Sequence, residues 1–538
     1  MMGSVSKPAG EDILTDRIPT ALVLGSGLGA MLMCAELAAL RFSVRMMELP
    51  DPMAGDLYCS VPEVDVQRLR GSLMSAMEGI EVFRLKDWPK IGRDQAGFHV
   101  DVDHFRSHRF DTLFFAGGPG TKRPALLRPD LFEPYKPESF SVDQPENLVF
   151  LMDYPEPTDP AAGMSAIASA LSNAKIGGRS SVVLKNAPVR HLHGETLYDS
   201  AKTSGVIFYR FVDGSIELAR KKCSETGVTR VCVSFQDCIE MGADHEITCD
   251  RLLLVTGPDN EGIPSVAGYI PGMDIDRNGF LISDSAHCKT FKSFNRGIYC
   301  IGGFSGTTDL LNVISQAKAA AAHARSFALA CHSENRQSVL SISDQCIRCL
   351  TCHRICPHSA IWVSAASSRS QMKSIGAACV ECGICVSECP RIALDLRGFP
   401  ETAFSGFIED IGRENDKIVV YGCSRSAARA ISSLSLPPDV VFFSTPCAGS
   451  ISEKVILETI NAGARGVLIV GCHHGNCASR NGTDWACDRV RSVVDNFVAP
   501  LEIQAPLEYR TVAPNEATKL ERTIRRFVEK VHSKPDCL

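Results

Sequence analysis

Thr20-Ala-Leu-Val-Leu-Gly25-Ser-Gly27-Leu-Gly29-Ala30 sets how the chain begins to fold. Thr20 to Leu24 reads as a short apolar strand, Met31 to Leu40 as a helix, and Val44 to Glu48 as a second strand. Residues 19–48 are therefore a β-α-β unit. The turn matches G-x-G-x-x-A with one extra glycine. Small residues there let backbone approach a pyrophosphate, which then rests on the helix N-terminus. Glu48 ends the second strand, where a carboxylate accepts hydrogen bonds from a ribose. The bland alternative is a glycine-rich structural turn. Ala21 to Leu40 is apolar enough to suggest a membrane span, but Glu36 and three glycines within five residues fit strand-turn-helix better.

Further along, three segments run an apolar strand into small residues: Thr112 to Gly118 (with Gly117), Leu252 to Pro258, and Ile298 to Gly303. The last leads into an alanine-rich helix, Leu311 to Ala328. Between them, Ser180 to Lys185 reads as the central strand of a middle segment, followed by Asn186-Ala-Pro-Val-Arg190 without a glycine fingerprint. Backbone cannot close on a pyrophosphate there, so no nicotinamide site is expected. No C-x-x-C occurs before residue 346, so a redox-active dithiol is not expected either. Cys232, Cys238, Cys249, Cys288 and Cys300 sit beside apolar residues and read as buried packing thiols.

Eight cysteines then fall into two runs. Cys346, Cys349, Cys352 and Cys356-Pro357 form the first, and Cys379, Cys382, Cys385 and Cys389-Pro390 the second. Each is the C-x2-C-x2-C-x3-C-P pattern of bacterial-type ferredoxins, whose fourth cysteine crosses to the other [4Fe–4S] cluster. This predicts one set of Cys346, Cys349, Cys352 and Cys389, and another of Cys379, Cys382, Cys385 and Cys356. Structural zinc, which takes four ligands in two pairs, and disulfides are the alternatives. The Ser-rich connection Pro357 to Ala378 is expected to be a surface excursion.

Beyond residue 412, Lys417–Gly422, Asp439–Ser444 and Gly466–Gly471 read as buried strands. Helices near Arg425–Leu434 and Ser452–Ala462 join them into a small parallel sheet. Cys423, Cys447 and Cys472 follow the strands, with Cys477 close behind. Sites in open parallel sheets form beyond the carboxyl ends of the strands, so these four thiols are expected to converge on a [2Fe–2S] cluster. Buried structural cysteines, or zinc bound with His473 or His474, are the alternatives.

The 538 residues predict three or four domains. A formal net charge of −6 and 22% charged residues give no hint of nucleic acid, and no basic run suggests a lipid surface. Twenty-three cysteines, mostly in cluster motifs or apolar surroundings, fit a reducing cytoplasm; no signal peptide or membrane span is expected. No paired carboxylates or His–Cys dyad marks acid–base or nucleophilic catalysis, so no catalytic residue is assigned.

Given these motifs, the first 330 residues resemble two-dinucleotide-domain flavoproteins of the thioredoxin reductase type. The resemblance implies FAD held by Gly25, Gly27 and Gly29 at the pyrophosphate, Glu48 at the ribose, Gly117 nearby, and Gly302-Gly303 near the ribityl chain. That family usually has Asp where Gly303 stands. Residues 18–500 together resemble the A-type flavoprotein of heterodisulfide reductase fused to the delta, iron–sulfur subunit of methyl-viologen-reducing hydrogenase. Tyr-Gly-Cys423-Ser, Pro-Cys447-Ala-Gly449-Ser and Gly471-Cys472-His-His-Gly475-Asn-Cys477 carry the delta-subunit part. The chain is similar as well to the B-type component of the quinone-interacting membrane-bound oxidoreductase complex, with like parts in anaerobic benzoyl-CoA reductases. Two departures are Val420, where many delta subunits begin a C-x-x-C, and a lone Cys59 where the heterodisulfide reductase flavoproteins often carry a cysteine-rich segment.

The expected fold is α/β: a thioredoxin reductase-like two-dinucleotide-domain flavoprotein, then a bacterial-type two-cluster ferredoxin module, then a small parallel α/β domain. The expected boundaries are an arm at 1–17, an FAD domain at 18–144 and 251–330, and a degenerate middle domain at 145–250. The ferredoxin module spans 340–400, the Cys-rich domain 412–510, and a tail 511–538. The function implied is electron transfer, within a cytoplasmic oxidoreductase complex of anaerobic metabolism. The implied partners are heterodisulfide reductase B/C-like proteins, a hydrogenase or dehydrogenase, or a membrane quinone-interacting protein. The alternatives are a self-contained NAD(P)H-dependent FAD/Fe–S reductase of a small substrate, and a structural scaffold with a degenerate flavin site.

Overall fold

The computed structural model describes residues 17–48, 66–85, 89–94, 97–101, 108–117, 131–135, 140–155, 157–187, 194–222, 229–256, 273–276, 280–285, 289–307, 309–331, 339–364, 371–414 and 416–533. The arm up to residue 16, Cys59, Gly118, Gly257-Pro258 and Cys288 lie outside the described residues.

The opening unit is β1 (Thr20–Leu24), α1 (Gly27–Ala39) and β2 (Ser43–Glu48). After α2 (Val66–Ala76) and β3 (Glu81–Arg84) comes an antiparallel meander of β4 (Lys90–Asp94), β5 (Gly97–Asp101) and β6 (Arg109–Phe110). β7 (Thr112–Gly117) then returns beside β1, pairing Ala21 with Thr112 and Leu24 with Phe115. The strands show no alternation of apolar and polar residues because both faces are covered. Ala21, Leu22, Val23 and Leu24 are all fully buried, as a parallel sheet between two layers requires.

A second unit repeats the pattern. β8 (Glu133–Pro134) precedes β9 (Asn147–Leu151), α3 (Pro160–Lys175), β10 (Arg179–Leu184), α4 (Gly194–Thr203) and β11 (Ile207–Arg210). A meander of β12 (Glu217–Lys222), β13 (Thr229–Asp237) and β14 (Ala243–Cys249) leads to β15 (Arg251–Leu254). The parallel sheet runs β11-β10-β9-β15-β8. The chain then re-enters the first sheet with β16 (Ser283–Ser285), β17 (Lys289–Ser293) and β18 (Ile298–Gly302), giving the order β16-β17-β18-β7-β1-β2-β3. Each unit thus has five parallel strands and a three-stranded meander, with its first strand of the β-α-β at the centre. This is the two-dinucleotide-domain fold, the first domain split around the second.

The expected central strand of the middle domain is corrected by this order. The position equivalent to β1 belongs to β9, and β10 is its neighbour, so the turn to compare with Gly25–Ala30 is the one after Leu151.

Between residues 339 and 396 lie the antiparallel pair β19 (Leu340–Ile342) and β22 (Leu394–Leu396), the hairpin of β20 (Ile361–Ser364) and β21 (Gln371–Ser374), and short helices Thr351–Ile355 and Ile384–Ser387. The two cysteine runs repeat one backbone path. Arg348, Leu350 and Ser359 have φ of 58°, 64° and 48°, and Glu381, Gly383 and Ile392 take 60°, 78° and 50° at the matching places. Left-handed residues next to right-handed ones aim successive N–H groups into one concavity, a common wrapping for Fe–S sites. The connection expected to be a surface excursion is partly core, since Ile361, Met372 and Ile375 are buried.

The last module is a parallel sheet, β24-β23-β25-β26, from β23 (Ile418–Cys423), β24 (Val440–Thr445), β25 (Gly466–Gly471) and β26 (Leu507–Thr511). Two expectations change here. The helix expected over Arg425–Leu434 is only Ala427–Ala430 followed by a 3-10 turn, Ile431–Ser433. The segment expected as a tail from 511 supplies the helix Ala517–His532, which buries Leu520, Ile524, Phe527 and Val531 against the sheet. Each such side chain contributes roughly 1.5–3 kcal/mol on burial, so the module runs past 510.

Candidate functional site

The carboxyl ends of β1, β7 and β18 meet in a knot of backbone. Gly25 has φ +154°, and a Cβ on it would fall on the Ala116 carbonyl oxygen. A Cβ on Gly117 would come 2.8 Å from the Ser26 carbonyl oxygen, and one on Gly302 2.7 Å from the Gly117 carbonyl oxygen. On Gly29 it would stand 3.2 Å from the Gly117 nitrogen. These four glycines serve close packing of chain on chain. Gly27, at φ +70° and the first residue of α1, opens the helix, and Ser26 makes no capping hydrogen bond to it. The first-turn N–H groups therefore receive no side-chain cap from Ser26, as a phosphate-binding helix start requires.

Glu48 stands at the carboxyl end of β2, its Oε2 accepting from Arg84 Nε at 2.8 Å. Gly302 N–H donates to Gln316 Oε1 at 3.1 Å, while Gln316 Nε2 donates to Thr307 Oγ1 at 2.9 Å. Gly303 opens a 3-10 turn with no side chain to offer. The acid of this segment is Asp309, whose Oδ2 accepts from Asn312 N at 3.1 Å at the start of the helix Leu310–Cys331. Gln316 was invisible to motif reading, because a glutamine inside an alanine-rich helix carries no pattern.

In the middle domain the corresponding mouth is filled by the chain itself. Asp159 caps α3, accepting from Ala161 N at 2.9 Å and Ala162 N at 3.1 Å. Asp153 accepts from Thr158 N, Lys185 N and Asn186 N at 2.9–3.1 Å, bridging the ends of β9 and β10.

The eight cysteines of the two runs separate into two cavities. One is lined by Cys346, Cys349, Cys352 and Cys389, the other by Cys356, Cys379, Cys382 and Cys385. Backbone N–H groups point at sulfur: Ala360 to Cys356 at 3.3 Å, Glu381 to Cys379 at 3.4 Å, Ala393 to Cys389 at 3.2 Å. The two environments differ. Burial pushes Cys382 up to about 12, whereas Cys349 is exposed and lowered by hydrogen bonds from Thr351. The inner cavity also touches both flanking modules. Arg296, from the loop before β18, donates to the Cys379 carbonyl at 3.0 Å, and Arg425, just after Cys423, to the Val380 carbonyl at 3.3 Å.

The four C-terminal thiols close into a ring. Cys423 and Cys472 have Sγ atoms 3.9 Å apart. Hydrogen bonding from Cys447 and Cys472 lowers Cys423 and Cys477 far below the thiol range and raises the two donors. Such alternation follows from crowding, since four thiolates without cationic charge repel one another. Gly482 fits only without a side chain, as its Cβ would fall on Cys447 Sγ. Val420 is not a gap in this ring. Along β23, Val419, Tyr421 and Cys423 face one core, and Ile418 and Val420 the other, under the helix Ala517–His532. His473 is engaged with Thr511 and Glu516, and His474 with Asp484. Among the described residues no group of three or more His, Cys, Asp or Glu has the spacing of a single metal ion.

Residues 418–533 match the family described as methyl-viologen-reducing hydrogenase, delta subunit. This delta-subunit-like module is similar to the D-type iron–sulfur subunit of the F420-non-reducing hydrogenase of Archaeoglobus profundus, 37% identical over 71 residues. The match covers 13% of this chain and 52% of that protein, so the chain spans about half the length of the curated relative. Residues of the two dinucleotide domains are similar to the thioredoxin reductase of T. acidophilum, at 13% identity and TM-score 0.39, over 57% of this chain and 97% of that one. Lactococcus lactis thioredoxin reductase gives 13% and 0.40 over 58% and 99%. Among the described residues no helix is long and apolar enough to cross a membrane.

Of the other cysteines, Cys232, Cys249 and Cys300 are buried as expected, and burial pushes Cys249 up to about 12. Cys238 is exposed, which corrects its reading as a packing thiol.

Proposed function

We propose that this chain is an electron-transfer flavoprotein and iron–sulfur component of a multi-subunit anaerobic oxidoreductase complex. In this reading it holds FAD, two [4Fe–4S] clusters and one [2Fe–2S] cluster. The observation that carries the reading is the inner cysteine cavity, whose lining residues Cys379 and Val380 are held through their carbonyls by Arg296 of the flavin-type domain and by Arg425 beside the four-thiol ring. Bound in these places, FAD would supply paired and single electron exchange and the clusters single electron exchange.

The residues present suit these groups. The start of α1, to which Ser26 gives no side-chain cap, and the Gly27 backbone would receive the pyrophosphate, with Glu48 at the ribose and Gly117, Gly302 and Gly303 lining the approach. Cys346, Cys349, Cys352 and Cys389 would ligate the outer [4Fe–4S] cluster, and Cys379, Cys382, Cys385 and Cys356 the inner. Cys423, Cys447, Cys472 and Cys477 would ligate the [2Fe–2S] cluster, whose iron charge replaces the protons shared round the ring. Backbone N–H groups on Cys356, Cys379 and Cys389 would raise potential by stabilising sulfur charge.

The layout favours a hub over a single file. Ser479, two residues from Cys477, hydrogen-bonds Cys382, and Ile384 packs 3.1 Å from the Cβ position of Gly449. The inner site thus adjoins ring, outer site and flavin-type domain at once. Arg296 reaches it from the amino end of β18 (Ile298), whereas Gly302 is at the carboxyl end, roughly 13 Å away at ~3.3 Å per residue.

A self-contained NAD(P)H-dependent reductase is disfavoured by Asp159 and Asp153, which occupy the middle mouth with negative charge. The partners are proposed to be redox proteins of the heterodisulfide reductase B/C, hydrogenase, dehydrogenase or quinone-interacting kind, in the cytoplasm. Anaerobic purification, FAD release on denaturation, iron content and low-temperature electron paramagnetic resonance test the reading. Flavin and three distinct paramagnetic centres are expected. Protein that folds after reconstitution without flavin, or with zinc in the ring, overturns it.

A further inference from the structure

Of the twelve thiols in the three sets, Cys349 is the exposed one; the others are buried or half-buried. Beside it stand two large apolar side chains open to solvent, Ile347 at 59% and Ile392 at 54% exposure. Ile347, Arg348, Cys349 and Arg391 line the same outer cavity. Arg354 is near enough to help lower Cys349, and Arg348, Arg354 and Arg391 are all exposed. The acid on this loop is Asp344. A chain of formal net charge −6 therefore turns a basic rim and an apolar centre outward over one cysteine set.

Resting on the cluster reading above, we propose that the Cys349 face is the docking surface for a small one-electron carrier protein with an acidic surface. The apolar pair excludes water between the two centres, and the arginines orient the encounter. Opposite charge speeds association and selects orientation more than it adds affinity, as suits a transient contact. In each encounter the carrier is oxidised by one electron and the outer site reduced by one, with no bond made and no proton moved. Cys423, Cys447 and Cys477 are buried, so the carrier meets the exposed Cys349 set rather than the C-terminal ring.

The test uses the anaerobic full-length holoprotein and stopped-flow reduction by an acidic two-[4Fe–4S] ferredoxin, with the methyl viologen radical cation as control. Arg354→Glu/Arg391→Glu is expected to slow reduction by ferredoxin about tenfold or more at low salt. That gap should close as salt rises, while viologen reduces both proteins alike or the variant faster. Arg525→Glu, on the helix Ala517–His532, should change nothing. The wild type gives a second reading free of folding effects: its rate with ferredoxin should fall with salt. A wild-type rate that rises with salt, or a double variant that matches wild type with ferredoxin, overturns the docking surface. Wild-type iron and [4Fe–4S] resonance are measured first; their absence defeats the cluster reading instead.

Discussion

The two dinucleotide domains share one topology and treat the same structural place in opposite ways. In the first, the helix after the central strand opens at Gly27 with no side-chain cap from Ser26. In the second, Asp159 caps the equivalent helix and Asp153 ties the neighbouring strand ends together. A helix start is a ready anion site until the chain supplies its own anion. The second domain has done so at Asp159.

The strongest break of this contrast is Gly27→Val. A β-branched side chain at φ +70° is strained and fills the space of the pyrophosphate; complete loss of FAD from the purified variant is expected. Asp153→Ala comes next. It strands three backbone donors, and removing one charged acceptor costs about 1–3 kcal/mol, read as earlier urea unfolding of the middle domain. Asp159→Ala should cost about 1 kcal/mol, the usual loss on removing an N-cap. Hydrogen exchange at Ala161 and Ala162 should quicken while amides of α1 stay unchanged. The smallest effect is no effect: NADH and NADPH should leave the flavin of the isolated chain oxidised. Rapid bleaching by either would show that the second domain still accepts a nucleotide despite its carboxylates.

Where backbone conformation depended on short local patterns, the sequence was legible. The buried strand before Gly25 and the matching backbone of the two cysteine runs follow the sequence reading, although the helix expected from Met31 begins at Gly27, inside the glycine turn. Other features depended on distant partners. Asn147–Leu151 looked no more central than Ser180–Lys185, because rank within a sheet is fixed by pairing and not by composition. Leu507–Thr511 was missed as a strand, since Glu508 and Arg510 make it look polar, although β25 holds it in register. The helix after it was taken for a tail, although Leu520, Ile524, Phe527 and Val531 follow helical spacing. Glycine was over-read in the other direction. Gly25, Gly29 and Gly302 announce a nucleotide, yet what forbids their side chains here is the neighbouring strand.

Arg489 carries a consequence for how the last two modules hold together. It is 6% exposed and holds Glu388 and Ser387 of the module with the two cysteine runs together with the carbonyls of Gly449 and Ile451 beside the ring. Separating the modules would break the Arg489–Glu388 ion pair and strip Arg489, the buried member, of its partners across the join. Ile384 adds an apolar contact to the same join, 3.1 Å from the Cβ position of Gly449 and 3.5 Å from that of Gly482. Arg489 and Ile384 thus make the two modules one packed unit rather than two beads on a linker.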